Sequence, residues 1–271
     1  MQKLSIRLLA FFLLSAAPVS AQQTVPIVGL NQPDAALTIK LGDGMLDGKR
    51  IIPHGMVWHP TFYPAKGDPI SLSGVWTEDV HYGEENGRKV LVRSVGAIVY
   101  GQTSYQIRGF IAHVTVVDAA TLAPIWSEHR DIDGSTEKLV FNGTHVEIHK
   151  TGPKPGDKDV VTEFDTGVPA YDFTGPIFPF YFKALPLKVG LSGIIPAVGE
   201  TPEQPLRGVK FKVVRREKIK DGSHGMVDAW VVESVHPEQT DTIRFWISDT
   251  ESYPIRMELM GDPRESYDML K

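Results

Sequence analysis

The stretch AYDFTGPIFPFYFKALPLKVG at 170–190 constrains this chain more than any other. It crowds Phe173, Ile177, Phe178, Phe180, Tyr181, Phe182, Leu185 and Leu187 into one span broken by Pro176, Pro179 and Pro186. Prolines at that spacing exclude a long regular helix and a central strand. A short helix or tight turn over 179–184 fits between them. So much apolar surface is costly in water, and the segment is expected to be buried against a sheet or to line a groove. The ligand-lining candidates are Phe173, Phe178, Phe180, Tyr181, Phe182 and, from a later strand, Trp230. A closely packed core is the competing expectation for the same six side chains.

On both sides of this segment the chain reads as short strands. Runs with β character at 72–79, 89–99, 110–118, 124–131, 136–141, 144–149 and 160–164 are separated by turn signals, and 209–218, 226–235, 242–248 and 254–260 follow. The expected fold is mainly β: a curved antiparallel meander, half-barrel or barrel-like, with a short helical or irregular aromatic-proline segment on its concave side. The expected layout is a leader at 1–21, a loosely packed Gly/Pro-rich arm at 22–69 and a single β domain at 70–271. One short strand at 37–41 is expected within the arm.

Two turns allow registers to be set by hand. Asn86-Gly87 is a strong hairpin signal, and Asn142-Gly143 is another. With 142–143 as the two-residue loop, Leu139 would face Val146 and Lys138 would face Glu147. Leu139, Val146 and Ile148 then share the core face, and Lys138, Val140, His145, Glu147 and His149 the other. In the last meander, Val235 is set opposite Thr242 and Ser248 opposite Pro254. Trp230, Val232, Phe245, Ile247, Ile255 and Met257 then share the core face. Glu233, Arg244 and Glu258 line up on the outer face, with Trp246 against Arg256.

The N-terminus has the form of a secretion signal. Lys3 and Arg7 are its positive end, 8–17 its apolar run, and Val19-Ser20-Ala21 a small-residue cleavage site, so the mature chain is expected to begin at Gln22. The apolar run is shorter than the roughly 20 residues a membrane-spanning helix needs. The chain has no cysteine, which excludes disulfides, a thiol nucleophile, thiolate metal sites and a lipidated N-terminal cysteine. A periplasmic or secreted product is expected, not an integral membrane protein once the leader is removed. A net charge of −5 with scattered basic residues argues against nucleic acid as a partner.

Catalytic and cofactor motifs are missing from the sequence. It has no G-x-S-x-G elbow, Walker loop, dinucleotide fingerprint or H-E-x-x-H, and no cofactor is expected. Asp131-x-Asp133-Gly134 lacks the closing glutamate of a calcium loop. Asn142-Gly143-Thr144 matches a glycosylation acceptor but reads as a turn. His54 and His59 read as loop histidines. His145-x-Glu147-x-His149 puts two imidazoles and a carboxylate on one face of a strand, weak candidates for a metal. Lys138, expected across from Glu147, would pair with that carboxylate and repel a cation. A solvated face is therefore the expectation there.

Several of these segments resemble an uncharacterised family of exported bacterial proteins that is defined only as a domain of unknown function. They are Leu185-Pro186-Leu187-Lys188-Val189-Gly190, Trp246-Ile247-Ser248, Pro254-Ile255-Arg256, and the Asp-x-x-Thr-Leu-x-Pro run beginning at Asp118. The resemblance spans about residues 72–260. At the level of fold it is similar to periplasmic lipoprotein carriers, whose half-barrels wrap helices and bind acyl chains or partner proteins. It implies no catalytic residues. The leading expectation is a non-catalytic envelope protein that binds an apolar small molecule or lipid. An envelope protein–protein module and a hydrolase with a dispersed Ser/His/Asp site are the alternatives.

Overall fold

The computed structural model describes residues 37–63, 70–71, 74–100, 107–154, 156–173, 177–221, 225–235, 242–251, 254–260 and 264–270. Its strands are β1 (Leu37–Thr38), β2 (His54–Tyr63), β3 (Ile70–Ser71), β4 (Gly74–Glu85), β5 (Arg88–Tyr100), β6 (Ile107–Asp118), β7 (Pro124–Arg130), β8 (Thr136–Asn142), β9 (His145–Thr151) and β10 (Val160–Asp165). The one α-helix among the described residues, α1 (Phe178–Ala184), comes next. The remaining strands are β11 (Ser192–Thr201), β12 (Gln204–Asp221), β13 (Gly225–Val235), β14 (Thr242–Ile247), β15 (Pro254–Leu259) and β16 (Arg264–Leu270).

All the strands belong to one continuous sheet in the order β1-β11-β12-β13-β14-β15-β16-β2-β4-β5-β6-β7-β8-β9-β10, with β3 beside β2. Neighbours run antiparallel except β1, which lies parallel to β11. The protein is therefore mainly β, as the sequence implies, and the sheet stays open. Its curvature follows from its core. Val198 and Leu206 of β11 and β12 pack with Leu139, Phe141, Val146, Ile148 and Phe164 of β8–β10. Strands from near opposite ends of the path thus share one apolar cluster, separate from the main core that holds α1.

The segment expected to be a loose arm contributes to the fold. β2 lies between β16 and β4, so it joins the two meanders. Ile39, Leu46 and Ile51 are fully or almost fully buried in the main core. β11 was also unreadable as a strand, because Gly193, Pro196 and Gly199 interrupt its pattern. Gly193 is required by contact: a Cβ there would lie 2.4 Å from the Leu37 carbonyl oxygen of β1.

Turn chemistry fixes the registers. Asn86 and Gly87 have φ of 52° and 76°, the left-handed pair of a type I′ turn, and Glu85 faces Arg88. At the next such signal the expected register is corrected. Asn142 pairs with His145, so the loop is Gly143-Thr144, with positive φ at Gly143 but not at Asn142. Glycine first in the loop is the mark of a type II′ turn. Lys138 consequently faces His149, and Val140 faces Glu147. The expected faces survive, because the slip moves the partner by two.

In the last meander Val235 faces Thr242, Glu233 faces Arg244, Arg244 faces Glu258 and Trp246 faces Arg256, as expected. A bulge after Trp246 then puts Pro254 opposite Ile247, not Ser248. Ile255 accordingly leaves the main core. It joins a second apolar cluster with Met56, Ile219, Ala229, Val231 and Trp246. The outer row is also less solvated than expected, since Glu258 and Trp246 are buried.

Candidate functional site

α1 starts at a proline-compatible first turn, with Pro179 at its N-terminal end. It stops at Leu185, whose extended conformation is the one favoured before Pro186. Phe180, Tyr181 and Phe182 are fully buried, and Phe173 nearly so. Their rings interlock: Tyr181 lies 5.0 Å from both Tyr171 and Phe173, and Phe182 lies 5.2 Å from Phe245. These four candidates therefore lie in the core cluster. Phe178 and Trp230 are only partly buried and pack at its border, as do Met257 and Leu259.

The Trp230 indole donates to Asp249 at 3.0 Å, and the Arg216 guanidinium stacks 4.7 Å from its centre. Lys183, also buried, donates from Nζ to the carbonyl oxygen of Ser248 and ties α1 to the Trp246-Ile247-Ser248 motif. Burial lowers its pKa, against the opposing pull of Asp249 and Glu251. Asp118 anchors the other motif. Its carboxylate accepts from Thr121, Ala120 and Arg88, and these bonds overcome burial to bring its pKa to about 2.

Beside α1 is a buried polar stripe that the sequence reading missed. Glu78 of β4 accepts from Arg93 of β5, and His54 Nε2 lies 3.0 Å from its other oxygen. His54 Nδ1 lies 2.8 Å from the Ile52 carbonyl oxygen, so both ring nitrogens are committed to acceptors. The His54 ring stacks on Phe180 at 5.7 Å, and the Arg93 guanidinium lies 4.7 Å from the centre of the same ring. Burial alone would raise the Glu78 pKa; Arg93 and His54 outweigh it and hold it below the usual range. The stripe continues through Thr115 and Ser127, directly paired across β6 and β7, and through the His113–His129 pair, whose ring centres are 4.9 Å apart. Counting back from the Asn86-Gly87 turn would have placed Glu78 and Arg93 on one face of neighbouring strands.

Burial pushes the His113 imidazole well below its ordinary pKa, with His129 and Arg93 adding to the effect; burial also lowers that of His129. A histidine depressed in the folded state is protonated first in the unfolded chain. Its stability contribution is complete above about pH 6.5 and is lost as the pH falls below that value. Urea titrations at several pH values should show stability falling on acidification from neutral by up to about 1.4 kcal/mol per pH unit for each such histidine. His113→Gln should flatten that fall, and an unchanged profile would exclude His113 as its source.

The weak metal candidates His145, Glu147 and His149 do share an outer face of the sheet. His149 Nε2 lies 3.2 Å from Glu147. Among the described residues no three histidine, aspartate or glutamate groups form a ready-made metal site. His54 belongs to the stripe, whereas the His59 side chain lies outside the described residues. No described helix is long and apolar enough to cross a membrane.

Fold and site together define a mainly-β protein whose open antiparallel sheet packs around one short aromatic helix. The DUF3108 family, described as a protein of unknown function, matches residues 74–263. The chain belongs to that family. No curated protein matches it.

Proposed function

We propose that this protein is a non-catalytic binding protein, exported to the periplasm or secreted, that holds an apolar ligand of acyl type. The supporting observation is the border of the main core, where Phe178, Trp230, Met257 and Leu259 stay partly exposed. Apolar side chains with a few polar groups at one end are a common recipe for small-ligand recognition, and Arg216 and Asp249 flank Trp230 here. In this reading the buried rings of Phe180, Tyr181 and Phe182 are scaffold, and the ligand lies against the border.

The test is mass spectrometry of solvent extracts from protein purified natively without detergent, alongside a Phe178→Ser/Trp230→Ser variant. The expected result is a stoichiometric lipid in the wild type that is lost from the folded variant. A wild type without bound lipid, or a folded variant that keeps it, would overturn the reading.

A second reading, an envelope protein–protein module, draws on β10. This strand ends the sheet, and Val160 and Val161 are 56% and 50% exposed. Open edges with exposed valines are the usual substrate of strand addition. A lipid-free wild type would turn attention there.

A further inference from the structure

We propose that β10 takes up one further strand: an extended segment of a partner protein with lysine or arginine at alternate positions and apolar residues between them. This builds on the protein–protein reading above and does not depend on the acyl ligand. The two ends of the sheet differ. β11 is covered on its outer side, where β1 pairs with Gly193 and Ile194 and Tyr171 bridges to Ala197. β1 itself is only two residues long. β10 offers six residues, VVTEFD, in unbroken register with β9 and with no described strand beyond it. Three common devices that blunt an edge are missing from it: proline, lysine and a bulge.

The Gly143-Thr144 loop fixes which backbone groups are on offer. Asn142 and His145 flank a two-residue loop and exchange both hydrogen bonds, so His145, Glu147 and His149 bond towards β8. Val146, Ile148 and Lys150 then bond towards β10, and engage Phe164, Thr162 and Val160. The Thr166 N–H, which donates to the Thr144 carbonyl oxygen, continues the same alternation. Val161, Glu163 and Asp165 therefore aim their N–H and C=O groups at the free side.

The side chains of these three residues lie on the outer face, where Glu163 is opposite Glu147. Glu163 and Asp165 are exposed, and His145 stays 3.9 Å from each, beyond hydrogen-bond reach. The nearest lysines do not neutralise them. Lys138 lies 3.8 Å from Glu128, and Lys150 pairs with Glu137 at 2.6 Å. An added strand sets its own outward side chains against Glu163 and Asp165, and cations there complete the row. The same carboxylates exclude a second copy of this chain. Two-fold pairing of β10 with itself, centred on Val161, Thr162 or Glu163, sets Asp159 against Glu163, Asp159 against Asp165, or Glu163 against Glu163. Residues 22–36 of this chain contain no lysine or arginine and also lack the required chemistry.

The test offers the natively purified protein three labelled peptides of about eight residues, the length of an ordinary strand. One alternates lysine with valine, one alternates glutamate with valine, and one has the first composition with its lysines in a single block. Fluorescence anisotropy reads binding, and hydrogen exchange reads the β10 amides. The alternating lysine peptide should bind saturably and protect the Val161 and Glu163 amides, and the block peptide should not. Val161→Pro removes one outward N–H at an edge that tolerates proline, and should abolish binding. Glu163→Lys/Asp165→Lys should weaken binding of the lysine peptide about tenfold or more and take up the glutamate peptide instead. Circular dichroism verifies the fold of both variants. Equal protection by the lysine and glutamate peptides would overturn the basic partner while leaving edge docking intact. No protection by any peptide would overturn both. A wild-type dimer that Val161→Pro dissolves would make a second copy the occupant and overturn the proposal as well.

Discussion

Arg93→Met should lower the free energy of unfolding by about 3–5 kcal/mol, because it leaves the Glu78 carboxylate buried without its strongest partner. Arg93 and Glu78 are both buried, and His54 cannot take over, since its Nε2 already faces the other Glu78 oxygen and its Nδ1 faces Ile52. The cost should come mainly from the stranded charge. Removing that charge as well, in Glu78→Gln/Arg93→Met, should therefore recover a substantial part of the loss. Guanidinium denaturation of the two variants and the wild type at pH 7.5 measures this. A double variant as unstable as the single would show that lost packing against Phe180, not the carboxylate left without Arg93, sets the cost.

Phe182→Ala should be comparably severe, at about 3–5 kcal/mol, because the ring is fully buried and faces Phe245 and Phe211 at 5.2 Å and 5.9 Å. Phe178→Ala, only one turn earlier on α1, should cost clearly less, since that ring is partly exposed at the border of the core. The contrast between these two phenylalanines separates scaffold from binding surface within one seven-residue helix. Equal losses in denaturant would place Phe178 in the scaffold too and leave the proposed ligand without its anchor on α1.

What could be read from the sequence was what is decided locally. The helix at 178–184 was foreseeable because Pro179 can start a helix and Pro186 must end one. The β4–β5 hairpin was legible because Asn86 and Gly87 tolerate left-handed backbone and leave few alternatives. The pairing of Glu233, Arg244 and Glu258 was legible because three charges had to match at once. The failures involve partners that are distant in sequence. Nothing local reveals that β2 lies between β4 and β16, or that Gly193 in a broken apolar pattern must let β1 pass. The bulge after Trp246, which moved Ile255 to another cluster, leaves no mark that alternation can detect. The six aromatic candidates showed where the apolar mass lies. Exposure, which divides them into four buried and two at the border, depends on the whole sheet.

The pairing of β2 with β16 also dictates when the sheet can be completed. β2 is the second strand of the described chain and β16 the last, yet Val57 faces Leu270 and Tyr63 faces Arg264. The two meanders therefore cannot be joined through β2 until β16 is available, and contacts so distant in sequence form slowly. A ribosome-bound chain ending before 264 would hold β2 with one edge unfilled, exposing backbone that invites pairing with another molecule. The meanders on either side can form early, but their union waits for β16, and the form that precedes it is a natural client for a chaperone that shields strand edges.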